Sequence, residues 1–143
     1  MLIKKIIFYF LFVIFAVAST SHSIENKIIV KIDNEIITTI DIENEYKYLS
    51  ALNENIKDLE KEKIYQISKR SIIREKIKKI IIKKNLNDVD IQDDYLEKIF
   101  KNVYSKLNIE SLEEFKKYLI KKNVNFLSVK EKIKIEALWN ELI

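Results

Sequence analysis

The 143-residue chain contains no cysteine, no glycine and no proline. Without cysteine it has no disulfide scaffold, no thiolate zinc site and no cysteine nucleophile. Without glycine it lacks the dinucleotide-binding fingerprint and the P-loop, because both bring the backbone close to phosphate at glycine. The one histidine, His22, lies in a predicted leader that is removed or cut beside it. Histidine-based catalysis and histidine-ligated metals are therefore nearly excluded, and these absences together argue against most classes of enzyme.

The composition is biased towards isoleucine (28 residues), lysine (24) and asparagine (12), with only two arginines. This bias resembles codon usage in an AT-rich genome more than selection for a lysine-rich surface. The net charge of +4 falls to +2 once the two lysines of the leader are removed. Binding to phosphate needs a concentrated basic face, so we expect no nucleic-acid partner. The 34% charged and 48% hydrophobic residues are typical of a globular helical domain.

The first 23 residues have the layout of a secretory signal peptide. Lys4 and Lys5 precede thirteen apolar residues at 6–18, and small-residue cleavage sites end at Ala18 and Ser23. A membrane-spanning helix needs about 20 apolar residues, so a retained anchor is the less favoured alternative. We predict a signal peptide at 1–23, with only transient membrane contact, and one domain at 24–143.

A β-hairpin is predicted at the start of the mature chain. Residues 27–32 read KIIVKI, and residues 36–38 read IIT. Asp33 and Asn34 between them suit a two-residue turn, because Asp and Asn tolerate positive φ better than other non-glycine residues. A lone hairpin is barely stable in water, so it is expected to lie on the helices that follow, and its open edge suggests self-association.

Two helices are predicted directly after the hairpin. Thr38 or Thr39 caps the first, and Asp41 stands three residues after Thr38, as in a capping box. A polar loop is expected at 53–58 and the longest helix at 59–84. The apolar face of the first helix is Ile42, Tyr46, Leu49, Leu52 and Ile56, and that of the second includes Ile73, Ile77, Ile80 and Ile81.

Three shorter helices are predicted in the second half of the chain. A break at 85–90 ends with Asp90 as an N-cap, Ser111 caps the next helix, and Asn123 or Asn125 interrupts the chain before the last one. Their apolar faces are Leu96, Ile99, Phe100, Val103 and Leu107; Leu112, Phe115 and Leu119; and Phe126, Ile133, Leu138, Trp139 and Leu142. The predicted fold class is mostly α, with a short N-terminal β-hairpin followed by about five helices.

This order of parts resembles the N-terminal domain of SurA-type periplasmic chaperones, within the SurA and trigger factor peptide-binding group. The similarity rests on the signal peptide, on IIVKIDNEIITTIDIENE at 28–45, and on SLEEF at 111–115. It implies a periplasmic protein of a Gram-negative bacterium that binds unfolded outer-membrane proteins or peptides. Longer members carry parvulin isomerase domains, which need histidine and glycine. Neither residue occurs after residue 23, so isomerase activity is not carried over.

Three other interpretations stay open. The chain is the N-terminal fragment of a SurA-type peptidyl-prolyl isomerase, which the helical pattern still running at Leu142 favours, or a small exported helical adaptor with one partner. A third is a relative tethered to the inner membrane by residues 6–18.

A holding chaperone needs exposed apolar surface, and no catalytic residue, cofactor or metal is expected. Tyr48 and Tyr118 lie off the apolar stripes and are predicted to line an exposed client groove. The full set of predicted peptide-binding residues is Tyr46, Tyr48, Tyr104, Tyr118 and Trp139. Adjacent carboxylates at 93–94 and 113–114 point about 100° apart on a helix and are interpreted as helix-start stabilisation rather than as a metal site.

Overall fold

The computed structural model describes residues 25–86 and 91–143. The predicted leader, its cleavage sites and the predicted N-cap Asp90 lie outside the described residues. The elements, in chain order, are β1 (Ile28–Ile32), β2 (Glu35–Thr38), α1 (Thr39–Leu52), a short 3-10 helix (Glu54–Asp58), α2 (Lys61–Asn85), α3 (Asp93–Ser105), α4 (Leu112–Lys121) and α5 (Phe126–Leu142). The prediction of a mostly helical fold with an N-terminal hairpin is confirmed.

The hairpin is antiparallel and lies with one face on the helices. Val30 pairs with Ile37, and Asp33 takes a φ of 54° in the predicted turn. Ile37 is fully buried against Ile42 of α1 and Ile72 of α2, forming a small core of its own. Successive strand residues face opposite sides, so the neighbouring Ile36 remains exposed on the outer face of the hairpin.

A capping box begins α1, as the sequence predicts. The Thr38 Oγ1 accepts a hydrogen bond from the Asp41 amide, and the Asp41 Oδ2 accepts one from the Thr38 amide at 2.7 Å. Because the last residue of β2 is also this N-cap, hairpin and helix are joined without a loop.

Between α1 and α2, the prediction of a polar loop at 53–58 is wrong. Residues Glu54–Asp58 form a 3-10 helix, capped by the Asn53 side chain, which accepts a hydrogen bond from the Asn55 amide. Ile56, predicted to continue the face of α1, lies in this short helix instead. Asn53 can satisfy a backbone donor locally, and that side-chain bond favours a tight turn over continued α-helix.

The buried face of α2 is not the apolar stripe that the sequence predicts. Ser68, Ile72 and Ile82 are its buried residues, whereas the predicted Ile77 is exposed. The region is so rich in isoleucine that several stripes fit the spacing. Packing against both α1 and α5 selects the one that is buried.

The main core is formed by α3, α4 and α5 together with the ends of α1 and α2. Phe115, Leu119 and Val129 are fully buried at its centre. Residue Asn123, with a φ of 56°, turns the chain between α4 and α5 where the sequence predicts a break. Asn108, with a φ of 57°, makes a similar turn after α3, which ends at Ser105, before the predicted Leu107. Across residues 25–86 and 91–143, no helix has the length and apolar character needed to span a bilayer.

Candidate functional site

A cleft of about 520 Å³ opens between α1, α2 and α5. Its apolar walls come from all three helices and from the connection before α5: Tyr48, Ile72, Val124, Leu127 and Val129. Its charged lining consists of four carboxylates and two ammonium groups: Asp41, Glu45, Glu75, Glu131, Lys76 and Lys132. The cleft therefore combines an apolar wall with an excess of two negative charges, in a chain whose net charge is +4.

The mouth of the cleft is fixed by the turn that enters α5. After Asn123, the Val124 amide donates to the Leu119 carbonyl at 2.9 Å, which closes the end of α4. The Asn125 Oδ1 then accepts hydrogen bonds from the Leu127 and Ser128 amides and caps α5. This cap places Leu127 at the cleft with 70% of its surface exposed. Covering an aliphatic side chain that is so exposed with another apolar group is favourable, because it removes apolar surface from water.

A three-residue ionic network lies inside the cleft. The Lys132 ammonium donates to the Glu45 carboxylate at 2.6 Å and also to the Glu75 carboxylate. The side chain of Glu45 is 2% exposed, that of Lys132 13%, and that of Glu75 19%. One ammonium group is thus shared by two carboxylates, and Glu75 is the more solvent-accessible of the two.

The other ion pairs around the cleft are one to one. Lys76 donates to Glu35 on β2 at 2.7 Å, and Lys79 pairs with Glu131 at 3.3 Å. The hydrogen bond and charge of Lys76 hold the pKa of Glu35 below its ordinary value. Within each of these pairs the positive and negative charges cancel. The negative excess of the cleft therefore comes from Asp41 and from the two carboxylates that share the single charge of Lys132.

Tyr48 connects the ionic network to the apolar wall. The Lys132 ammonium lies 5.0 Å from the centre of the Tyr48 ring, within cation–π range. Burial raises the pKa of Tyr48 far above its ordinary value, and the nearby charges of Glu45, Glu75 and Glu136 raise that pKa further. The phenol is therefore a neutral hydrogen-bonding group at physiological pH.

The other predicted binding residues do not line this cleft. Tyr118 is partly buried, and its hydroxyl donates to the Ala51 carbonyl at 2.7 Å, joining α4 to the end of α1. Tyr104 lies 6.1 Å from Phe115, ring centre to ring centre, and lines a separate cavity of about 420 Å³ beside α3.

Trp139 and Tyr46 lie elsewhere. The Trp139 ring packs on the main core with the Lys78 ammonium 5.6 Å from its centre, and Tyr46 is partly buried on α1. Of the five predicted residues the structure therefore places only Tyr48 in the cleft, and Tyr118, which is predicted to line the same groove, is not part of its lining.

Sequence reasoning missed Glu45, Glu75 and Lys132. Each stands three residues after a buried aliphatic residue on its own helix, namely Ile42, Ile72 and Val129. Positions three apart share a helix face, so each charge falls on an inward-facing stripe. A charged residue on an apolar stripe is the signal that could have found the network, although the pairing of the three helices could not be read from it.

No metal chemistry is indicated by these side chains. Among residues 25–86 and 91–143, no three His, Cys, Asp or Glu side chains are grouped so as to hold a metal ion. The buried hydroxyls of Ser50 and Ser68 have no hydrogen-bond partner, and Ser68 is fully enclosed. The cleft offers an exposed aliphatic side chain, part of an aromatic ring and carboxylate acceptors.

Comparison with known proteins gave no match among protein-family models, curated protein sequences or solved structures.

Proposed function

We propose that this protein is an exported holding chaperone, which binds unfolded outer-membrane proteins in the periplasm of a Gram-negative bacterium and performs no bond chemistry. The observation that carries the proposal is the open cleft of about 520 Å³ with the exposed Leu127 at its mouth. The similarity of residues 28–45 and 111–115 to SurA-type chaperones supports the same conclusion.

The composition of the cleft suits a non-native polypeptide. Strands of outer-membrane proteins alternate apolar and polar side chains, and the cleft presents the exposed Leu127 and the partly buried Tyr48 beside hydrogen-bonding side chains such as Asn44 and Ser128. Tyr48 combines an apolar ring with a polar tip, which suits such mixed segments. The ion pairs around the cleft surround its apolar surface with charged groups, which favours solubility of the protein.

An aggregation assay tests the proposal. A urea-unfolded β-barrel outer-membrane protein is diluted into buffer with and without the purified protein, and light scattering is followed. We expect the protein to lower the scattering of several unrelated barrel proteins. Failure to hold any of them in solution, or binding to a single folded partner only, would show that the proposal is wrong.

A pair of matched variants tests whether the cleft is the binding surface. Leu127, in the cleft, and Ile120, on α4 outside its lining, are 70% and 72% exposed. Neither Leu127→Gln nor Ile120→Gln removes a core side chain, so both variants are expected to keep the wild-type helix content. Leu127→Gln should weaken suppression of aggregation and Ile120→Gln should not; equal effects would place binding elsewhere.

A further inference from the structure

The charge of the cleft is opposite in sign to that of the chain. Its lining has two more carboxylates than ammonium groups, whereas the protein as a whole carries a net charge of +4. An apolar groove with a net negative charge is complementary to an apolar segment that carries a positive one.

Of the two carboxylates that share Lys132, Glu75 is the one with room for a further partner. Glu45 is sequestered at 2% exposure, while Glu75 is 19% exposed and accepts its bond from Lys132 through Oε2. A carboxylate has about four lone-pair positions, so one bond from Lys132 leaves room for another donor. The shared ammonium balances only one of the two negative charges.

The surroundings of Glu75 favour a basic side chain attached to an apolar segment. Charge interactions strengthen where apolar groups exclude water, and the partly buried ring of Tyr48 lines the cleft on the same side as the ionic network. A guanidinium can bond a carboxylate through two N–H groups. Arginine is therefore a better partner for Glu75 than lysine.

We propose that the cleft selects segments of unfolded polypeptide in which a lysine or arginine adjoins aliphatic residues, the basic group bonding Glu75 and the aliphatic residues contacting Leu127. This selectivity rests on the proposed chaperone function and specifies the segments that it recognises. Peptides with an acidic residue in the same position are rejected, because they bring a third carboxylate beside Glu45 and Glu75.

Three blocked peptides of equal length provide the test. Each has the same Gly/Ser-rich flanks around Leu-Arg-Leu, Leu-Gln-Leu or Leu-Glu-Leu, and binding to the purified protein is measured by fluorescence anisotropy at low salt. The arginine peptide should bind about fivefold more tightly than the glutamine peptide, as one partly screened ion pair would give. The glutamate peptide should bind most weakly.

The variant Glu75→Gln should reduce the arginine preference to near unity. Lys132 keeps Glu45 as its partner in this variant, so the fold is expected to remain. The matched control is Glu113→Gln on α4, which removes the same charge from an exposed ion pair with Lys116 outside the cleft. This control should keep the full preference.

Salt dependence of the wild-type protein gives a second readout that needs no variant. The screening length falls from about 10 Å at 0.1 M salt to about 3 Å at 1 M, so the arginine preference should shrink with salt while the affinity of the glutamine peptide stays nearly constant. A preference that is absent at low salt, or that survives Glu75→Gln, overturns the inference.

The aggregation assay separates this inference from the chaperone proposal. If barrel proteins are held in solution but the three peptides do not differ in affinity, the charge selectivity is wrong and the chaperone function stands. If neither peptides nor barrel proteins bind, both proposals fail.

Discussion

Lys132 is expected to be a large contributor to stability, which the substitution Lys132→Met tests. Its ammonium is the cation bonded to Glu45, whose side chain is 2% exposed. Removing one partner of a buried ion pair costs about 3–5 kcal/mol, because the other charge is left without compensation. Lys132 and Glu75 retain some solvent access, at 13% and 19%, so we expect a loss near the lower end, about 3 kcal/mol of unfolding free energy at neutral pH.

Urea unfolding followed by circular dichroism measures this loss. The control is Lys130→Met, the same chemical change at an exposed position of the same helix, where a surface substitution should alter stability by less than about 0.5 kcal/mol. The double variant Glu45→Leu, Lys132→Met removes the two most buried charges of the network and leaves Glu75, whose side chain is 19% exposed. It should recover most of the loss, since apolar replacement of a buried pair is often neutral.

The electrostatic reasoning would be refuted if Lys132→Met and Lys130→Met were equally stable at neutral pH. It would also be refuted if the double variant were less stable than the single one.

Three further predictions concern Tyr48, Tyr118 and the hairpin. The pKa of Tyr48 is raised by burial, so its contribution to stability is present below the unfolded-state pKa of about 10 and is lost as the pH rises above it. The wild type should therefore lose stability relative to Tyr48→Phe as the pH rises above about 10, and parallel pH profiles in urea unfolding would contradict this. Tyr118→Phe removes the bond to the Ala51 carbonyl and should cost about 1 kcal/mol, measured in the same way; no change would mean that water replaces the bond without cost. The outer face of the hairpin exposes Ile28 and Ile36, so the protein should melt below about 65 °C or sediment as more than a monomer, and a concentration-independent melt above that temperature would contradict it.

Local signals accounted for most of the fold. Asp33 at the hairpin turn, the Thr38–Asp41 capping box and Asn123 before the last helix are all determined by residues within a few positions of one another. Without glycine, asparagine and aspartate take the left-handed positions, at Asp33, Asn108 and Asn123. The order of elements could therefore be predicted from short-range chemistry alone.

The cleft could not be predicted in the same way, because its parts come from distant positions. The Lys132 bonds to Glu45 and Glu75 span 87 and 57 residues. Helical periodicity gives the face on which each charge lies but not the helix that faces it. The choice of Tyr118 fails for the same reason: a ring off the apolar stripe was expected to be exposed, yet its hydroxyl reaches the Ala51 carbonyl 67 residues away.

The ionic network of the cleft is hard to explain by a contribution to folding stability alone. Two carboxylates with one ammonium must be desolvated, and an apolar trio of similar volume would fold at least as well. The buried hydrophobic residues Ala51, Ile82 and Val129 already join these helices in the main core without any charge. A carboxylate that shares its ammonium and faces an open groove still has lone pairs for a cation from outside. The network is therefore easier to explain as part of a binding surface than as part of the core, and its cost to folding would be offset when a basic segment binds.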